Sequence, residues 1–190
     1  MNKTTIIAFI AFVFCAKQPS ASAAAADSTG PVWQVQHVFE GRFSVSLPGE
    51  LRLKTDTIDA PLGRMAYHTY LYQPPQKNAD ILVYMVSYCD YPAGALPADS
   101  VEMIEEFFDA TIDAAAASVE GTVIYSAPIN IQGYPGRIWR IQYLNDKAVI
   151  KTKAVLAGNR FYSVQVACLR EKSLHYSVDK FLDSFQIFDP

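Results

Sequence analysis

RIWRIQYLNDKAVIKTKAVLAGNRFYSVQVACL, residues 137–169, is the stretch on which the fold turns. Three runs rich in β-branched and aromatic residues, Arg137–Leu144, Lys147–Leu156 and Phe161–Leu169, are separated by the turn pairs Asn145-Asp146 and Gly158-Asn159. Runs of this kind joined by short Asn/Asp/Gly turns read as an antiparallel meander. A two-residue turn at Asn145-Asp146 pairs Leu144 with Lys147 and sets Tyr143, Ile141 and Trp139 beside Ala148, Ile150 and Thr152. The same turn at Gly158-Asn159 puts Lys151 and Lys153 beside Val166 and Val164, mixing charge with core. A three-residue loop changes the parity and avoids this. The expected core face is therefore Trp139, Ile141, Tyr143, Ile150, Ala154, Leu156, Tyr162, Val164, Val166 and Cys168. Arg140, Gln142, Lys151, Lys153, Ser163 and Gln165 fall on the other.

Upstream, Phe43, Val45 and Leu47 alternate with serines until Pro48-Gly49, the period of a half-buried strand. Leu51–Ile58, Met65–Tyr72 and Ile81–Cys89 read as further strands, the last two separated by a polar loop holding Pro74-Pro75. A helix is expected over about Ser100–Val119, with Asp99 as its cap and Glu102 three residues on. Val101, Ile104, Phe107, Phe108, Ile112, Ala115 and Val119 share one face of it, and six acids share the other. Val123–Ile131 holds one or two short strands, Tyr134-Pro135-Gly136 a turn, and Ser177–Phe185 a closing helix.

The 190 residues carry 16 Lys and Arg against 19 Asp and Glu, with 51% hydrophobic and 13% aromatic residues. This composition describes one compact domain and excludes both a strongly basic nucleic-acid binder and a disulfide-dense miniature scaffold. At the start, Lys3, the apolar run Ile6–Ala16 and Ala21-Ser22-Ala23 have the layout of a cleavable export signal. The run is shorter than the roughly 20 residues of a membrane span. Phe14 before Cys15 disfavours lipidation. The expected organisation is a signal over 1–23, a flexible leader over 24–31 and a single domain over 32–190, exported to the periplasm or beyond. Losing Lys3 and Lys17 with the signal takes the formal charge from −3 to −5. The charge is also divided: residues 99–120 hold seven acids and no base, and residues 137–172 hold eight bases and two acids.

Hydrolase, nucleotide and zinc-protease signatures are missing from the sequence, and the three histidines, His37, His68 and His175, lie far apart without metal-ligand spacing. No catalytic, cofactor or metal residue is therefore assigned. His68, in a strand, is either a candidate general base or an ordinary partly exposed strand histidine. Cys89 and Cys168 are either a disulfide in an oxidising compartment or two separate buried thiols. Arg140 opposite Lys151 places like charges across a strand pair, which solvent, an acidic neighbour or an anionic ligand must relieve. Arg140, Lys151 and Lys153 are accordingly the candidate patch for an anion or a partner. Tyr67, Tyr70, Tyr72, Tyr84, Tyr88 and Tyr91 suit either a binding surface or the border of a core.

Four of these stretches, Tyr84–Pro92 (YMVSYCDYP), Gly133–Arg137 (GYPGR), Gly158–Tyr162 (GNRFY) and Phe181–Phe185 (FLDSF), together resemble a group of small exported bacterial proteins with the PsbP-like fold. The resemblance covers roughly Phe39–Phe188. It implies an α+β domain, an antiparallel sheet with packed helices in an α/β/α sandwich, acting as an accessory or binding module. A sandwich covered on both faces would place Arg140, Lys151 and Lys153 beyond the covering elements. The motifs are turn and core residues, so they imply no active site. The expected function is that of an exported, non-catalytic, monomeric domain binding a protein or small ligand, without cofactor or nucleic acid. The alternatives are a hydrolase-like enzyme built around His68 or a carboxylate, and a carrier of an apolar ligand.

Overall fold

A computed structural model describes residues 32–60, 63–75, 79–96 and 100–188. The expected signal, the leader and the cap residue Asp99 lie outside these. In chain order the elements are β1 (Gln34–Val38), β2 (Phe43–Leu47), β3 (Arg52–Ala60), β4 (Gly63–Tyr72), β5 (Ile81–Asp90), α1 (Val101–Ser118), β6 (Thr122–Ile131), β7 (Tyr134–Tyr143), β8 (Ala148–Ala157), β9 (Arg160–Leu169), α2 (Tyr176–Asp183) and β10 (Gln186–Ile187). A single 3₁₀ turn, Arg170–Lys172, precedes α2. Ser100 caps α1, its side chain accepting from the Met103 amide.

Seven strands form one antiparallel sheet in the order β3-β4-β5-β9-β8-β7-β6, and three form a second, β1-β2-β10. The expected helix-packed α/β/α sandwich is overturned: 54% of the described residues are strand and 20% helix, the helices being α1, α2 and the short 3₁₀ turn. One face of the large sheet is covered by α1, whose Phe107, Phe108 and Ile112 pack with Trp139, Ile141, Leu156 and Phe161. The other is covered by a second sheet as well as a helix. Phe43, Val45 and Leu47 of β2 and Phe181 and Leu182 of α2 close over Tyr84, Val86, Tyr162, Val164 and Val166. The alternation of Phe43, Val45 and Leu47 marks them as inward-facing, but it does not say against what they pack.

Both covered faces bear on the register. The β7–β8 pairing is the one expected, with Tyr143 opposite Ala148, Ile141 opposite Ile150 and Trp139 opposite Thr152. At the next turn the structure takes the rejected alternative. Ala157 pairs with Arg160 across Gly158-Asn159, so Lys151 faces Val166 and Lys153 faces Val164. The expected core face therefore splits between the two sides: Tyr162, Val164, Val166 and Cys168 belong with β2 and α2, and Trp139, Ile141, Ala154 and Leu156 with α1. A three-residue loop is needed only where a single face of the strand pair is apolar. With two covered faces, parity carries no penalty, and a lysine at the margin buries its stem while its head reaches out.

Close approach between the sheets is allowed by Gly41. A Cβ there would stand 2.6 Å from the Phe43 ring and 3.0 Å from that of Tyr88. The Gly41 carbonyl accepts the Tyr162 hydroxyl at 2.8 Å.

Candidate functional site

The small sheet, the β6–β7 hairpin tip and the β8–β9 turn meet at one end of the molecule and enclose an open cleft of about 390 Å³. Arg42, Asp90, Tyr134, Asn159, Arg160 and Ile187 are among its lining residues. Each wall is fixed locally. Asn159 and Tyr91 exchange two hydrogen bonds, the Asn159 side-chain amide to the Tyr91 carbonyl and the Tyr91 amide to the Asn159 carbonyl, both 2.8 Å. The Gln132 side chain clamps Ile187 of β10, donating to its carbonyl at 2.8 Å and accepting from its amide at 2.7 Å. Arg42, in the left-handed region at φ 52°, accepts from the Phe188 amide at 3.0 Å.

Arg160 is the centre of the cleft. Its Nε and Nη2 donate to the two oxygens of Asp90, each at 2.6 Å, and Nη1 donates to the Glu40 carbonyl at 3.2 Å. Its guanidinium lies 4.5 Å over the Tyr88 ring. This is the bidentate, aromatic-backed arrangement that suits arginine and that lysine does not reproduce. Hydrogen bonding to Asp90 drives the Arg160 pKa further up, so the group is a fixed cation. Arg42 is exposed and forms no ion pair with the described residues. Beside the cleft, Phe39 and Phe188 meet edge to face at 5.8 Å, with His37 against both, and Phe39 is 71% exposed.

The residues singled out from sequence lie elsewhere. Lys151 and Lys153 project from β8 toward α2, one turn apart in their partners: Lys151 Nζ donates to Asp179 at 2.5 Å, and Lys153 to Asp183. The relief for like charges across β7–β8 is thus an acidic neighbour within the chain. Arg140 donates to the Ser173 hydroxyl at 3.2 Å. Cys89 and Cys168 are free and buried in different clusters, on opposite sides of the large sheet. Burial pushes both thiols up to about 11, the signature of inert packing residues. His68 stacks on Tyr88 at 4.6 Å, and its Nδ1 is 3.2 Å from the Thr55 hydroxyl; it does not line the cleft. The tyrosines are mostly core residues, Tyr84, Tyr88 and Tyr91 all being buried. Tyr67 bonds to Ser87 at 2.7 Å, and burial pushes its hydroxyl up to about 12.

Among the described residues no group of three His, Cys, Asp or Glu is placed to hold a metal, and no helix is long and apolar enough to cross a membrane. The interface between α1 and the sheet is filled by Phe107, Phe108, Trp139 and Phe161, each 3% exposed or less.

The Arg160–Asp90 pair escaped the sequence reading because its members stand 70 residues apart. A signal was nevertheless present: both lie in stretches on which the resemblance to the PsbP-like group was based, Asp90 in YMVSYCDYP and Arg160 in GNRFY. Opposite charges at the ends of two strands become informative once the strands are known to be neighbours.

This arrangement of layers defines a PsbP-like fold. The chain is similar to cyanobacterial PsbP (CyanoP) from Synechocystis sp. PCC 6803, with a TM-score of 0.51, 8% identity, and coverage of 87% of this chain and 98% of that one. It also aligns with PA94 from Pseudomonas aeruginosa, a protein of unknown function, at 9% identity over 76% of this chain and 88% of that one, with a TM-score of 0.38. No family profile and no curated protein sequence matches the chain. At these identities the first likeness establishes the fold and leaves the activity to the site.

Proposed function

We propose that this protein is an exported, non-catalytic binding module that takes an anionic group of a protein segment or small ligand in the Arg42–Arg160 cleft. The observation that carries the reading is the pairing of a fixed, aromatic-backed arginine with a second arginine, which has no ion pair among the described residues, in a concave site lined by Tyr134, Asn159 and Ile187. Arginine and large aromatics are the side chains that dominate binding energy at protein interfaces. Arg160 is already committed to Asp90, so Arg42 is the free charge that meets the ligand, and Arg160 shapes the wall beside it. Export is supported by the Lys3, Ile6–Ala16 and Ala21-Ser22-Ala23 pattern.

Titration of the purified protein with short blocked di-glutamate peptides, followed by amide chemical shifts, tests the reading. Shifts are expected at Arg42, Tyr134, Asn159 and Arg160, and they should vanish in Arg42→Glu. Shifts confined to other surfaces, or unchanged in that variant, would overturn it.

A further inference from the structure

The turn that joins β1 to β2, Phe39-Glu40-Gly41-Arg42, is held at each of its four backbone carbonyls. The Phe39 carbonyl accepts from the Arg42 amide at 3.1 Å, and the Arg42 carbonyl accepts from the Phe188 amide at 3.0 Å. The Glu40 carbonyl accepts from Arg160 Nη1 at 3.2 Å, and the Gly41 carbonyl from the Tyr162 hydroxyl at 2.8 Å. Two of these donors belong to β9, so the turn is pinned to the large sheet. A connecting loop can leave such groups to water.

The pinned backbone nevertheless presents two side chains to solvent. Phe39 is 71% exposed, whereas every other phenylalanine among the described residues is buried or half-buried. Leaving so large a ring in water forfeits the gain of burying it. Arg42 is exposed as well, and its φ of 52° lies in the left-handed region, which glycine enters at less cost. The Phe39 ring meets that of Phe188 at 5.8 Å, and His37 lies against both. One rigid turn thus carries an aromatic platform at its start and a cation at its end. A turn fixed beforehand loses little conformational freedom on binding.

Spacing and charge select what can bridge the two ends. A β-turn brings its first and fourth Cα atoms within about 7 Å. In an extended segment, side chains two positions apart point to the same side and also stand about 7 Å apart. Arg42 and Arg160 are matched in number by Asp90 and the exposed Glu40, so no positive charge is left over for a second carboxylate. The second contact is therefore apolar, and the exposed aromatic platform is the surface for it.

We infer that the Phe39–Arg42 turn recognises an extended protein segment carrying one acidic and one aromatic residue two positions apart, with the carboxylate on Arg42 and the ring on Phe39 and Phe188. The assignment rests on the cleft as a site for an anionic group and names the ligand class for it. Arg160 and Tyr162 are positioning residues, acting through the carbonyls of the turn.

The test uses the purified protein and the blocked tripeptides Glu-Ser-Phe, Phe-Ser-Glu and Glu-Ser-Ser, titrated with amide chemical shifts as the readout. One of the two phenylalanine peptides should bind about tenfold tighter than Glu-Ser-Ser. Its binding should shift His37, Phe39 and Phe188 together with Arg42. Phe39→Ser should erase the preference and leave the affinity for Glu-Ser-Ser unchanged. Three peptides of equal affinity, all lost in Arg42→Glu, would overturn this inference and leave the anion site standing, as would a phenylalanine preference that survives Phe39→Ser. Affinities that do not respond to Arg42→Glu would sink the anion site and the inference with it.

Discussion

The two faces of the seven-stranded sheet solve the same problem in opposite ways. On the β2 and α2 side the sheet presents Tyr84, Val86, Tyr88, Tyr162, Val164 and Val166, and its charges sit at the margin, paired with carboxylates of α2. On the α1 side aromatic packing by Phe107, Phe108, Trp139 and Phe161 is combined with buried polar side chains, Thr152, Ser163 and Gln165. The first face keeps polarity at its rim, where water screens it, and the second carries polarity inward, where each group needs a partner. The lesson is that a strand can be buried on both sides without being apolar throughout, as Lys151, Thr152 and Lys153 show in consecutive positions of β8.

Emptying the β2 side should have the largest effect. Phe43, fully buried and packed against Tyr70, Tyr162 and Phe185, should cost about 3–5 kcal/mol as Phe43→Ala, read as a lowered urea midpoint. If the loss were below about 1 kcal/mol, the small sheet would not be part of the core. Arg160→Met should cost about 1–3 kcal/mol, because Asp90 loses a bidentate partner and Glu40 a donor. Arg160→Lys should recover only part of this.

Alkaline stability addresses the two sides separately, since one thiol lies on each. Cys89 and Cys168 both titrate near 11 when folded, against about 8.5 in an unfolded chain. The protonated thiol is favoured by folding, so stability is unaffected below about pH 8.5 and falls as the pH rises toward 11. Tyr67 and Tyr88, pushed up to about 12, extend the decline. Cys89→Ala and Cys168→Ala should each reduce the slope between pH 9 and 11 by similar amounts, measured as urea midpoints across that range. Unequal slopes would show that the two sides differ in how well they exclude water.

The smallest effect belongs to the α2 clasp. Asp179 and Asp183 are 55% and 64% exposed, so Lys151→Met and Lys153→Met should each cost less than about 1 kcal/mol in chemical denaturation. A larger loss would mean that the pairs, rather than the lysine stems packed at the margin, hold α2 in place.

Legibility followed sequence separation. The β7–β8 register, the long helix and the closing helix could be read because their signals are local: a turn pair, a 3.6-residue period and a short amphipathic run. The Gly158-Asn159 turn could not be chosen correctly because its two registers differ only in which side chains share a face, and choosing between them requires knowing what covers each face. The same ignorance hid the cleft. Asp90 and Arg160 meet only because β5 lies beside β9, and Arg42 joins them only because the small sheet folds over that end.

Local signals therefore sufficed for the seven strands of the large sheet, β2, both α-helices and the acidic outer face of α1, since these depend on neighbours within a few residues, whereas β1, β10 and the start of β7 at Tyr134, read as a turn, were missed. Tertiary structure alone decided that a second sheet shares the covering of one face with a helix. It also decided that the basic patch of β8 is answered by α2, that the two cysteines stand on opposite sides, and that Arg42 and Arg160 share a cleft. The physical reason is the same in each case. Burial and charge pairing are properties of surfaces brought together across the chain, and a periodic pattern records that a surface must be covered without recording what covers it.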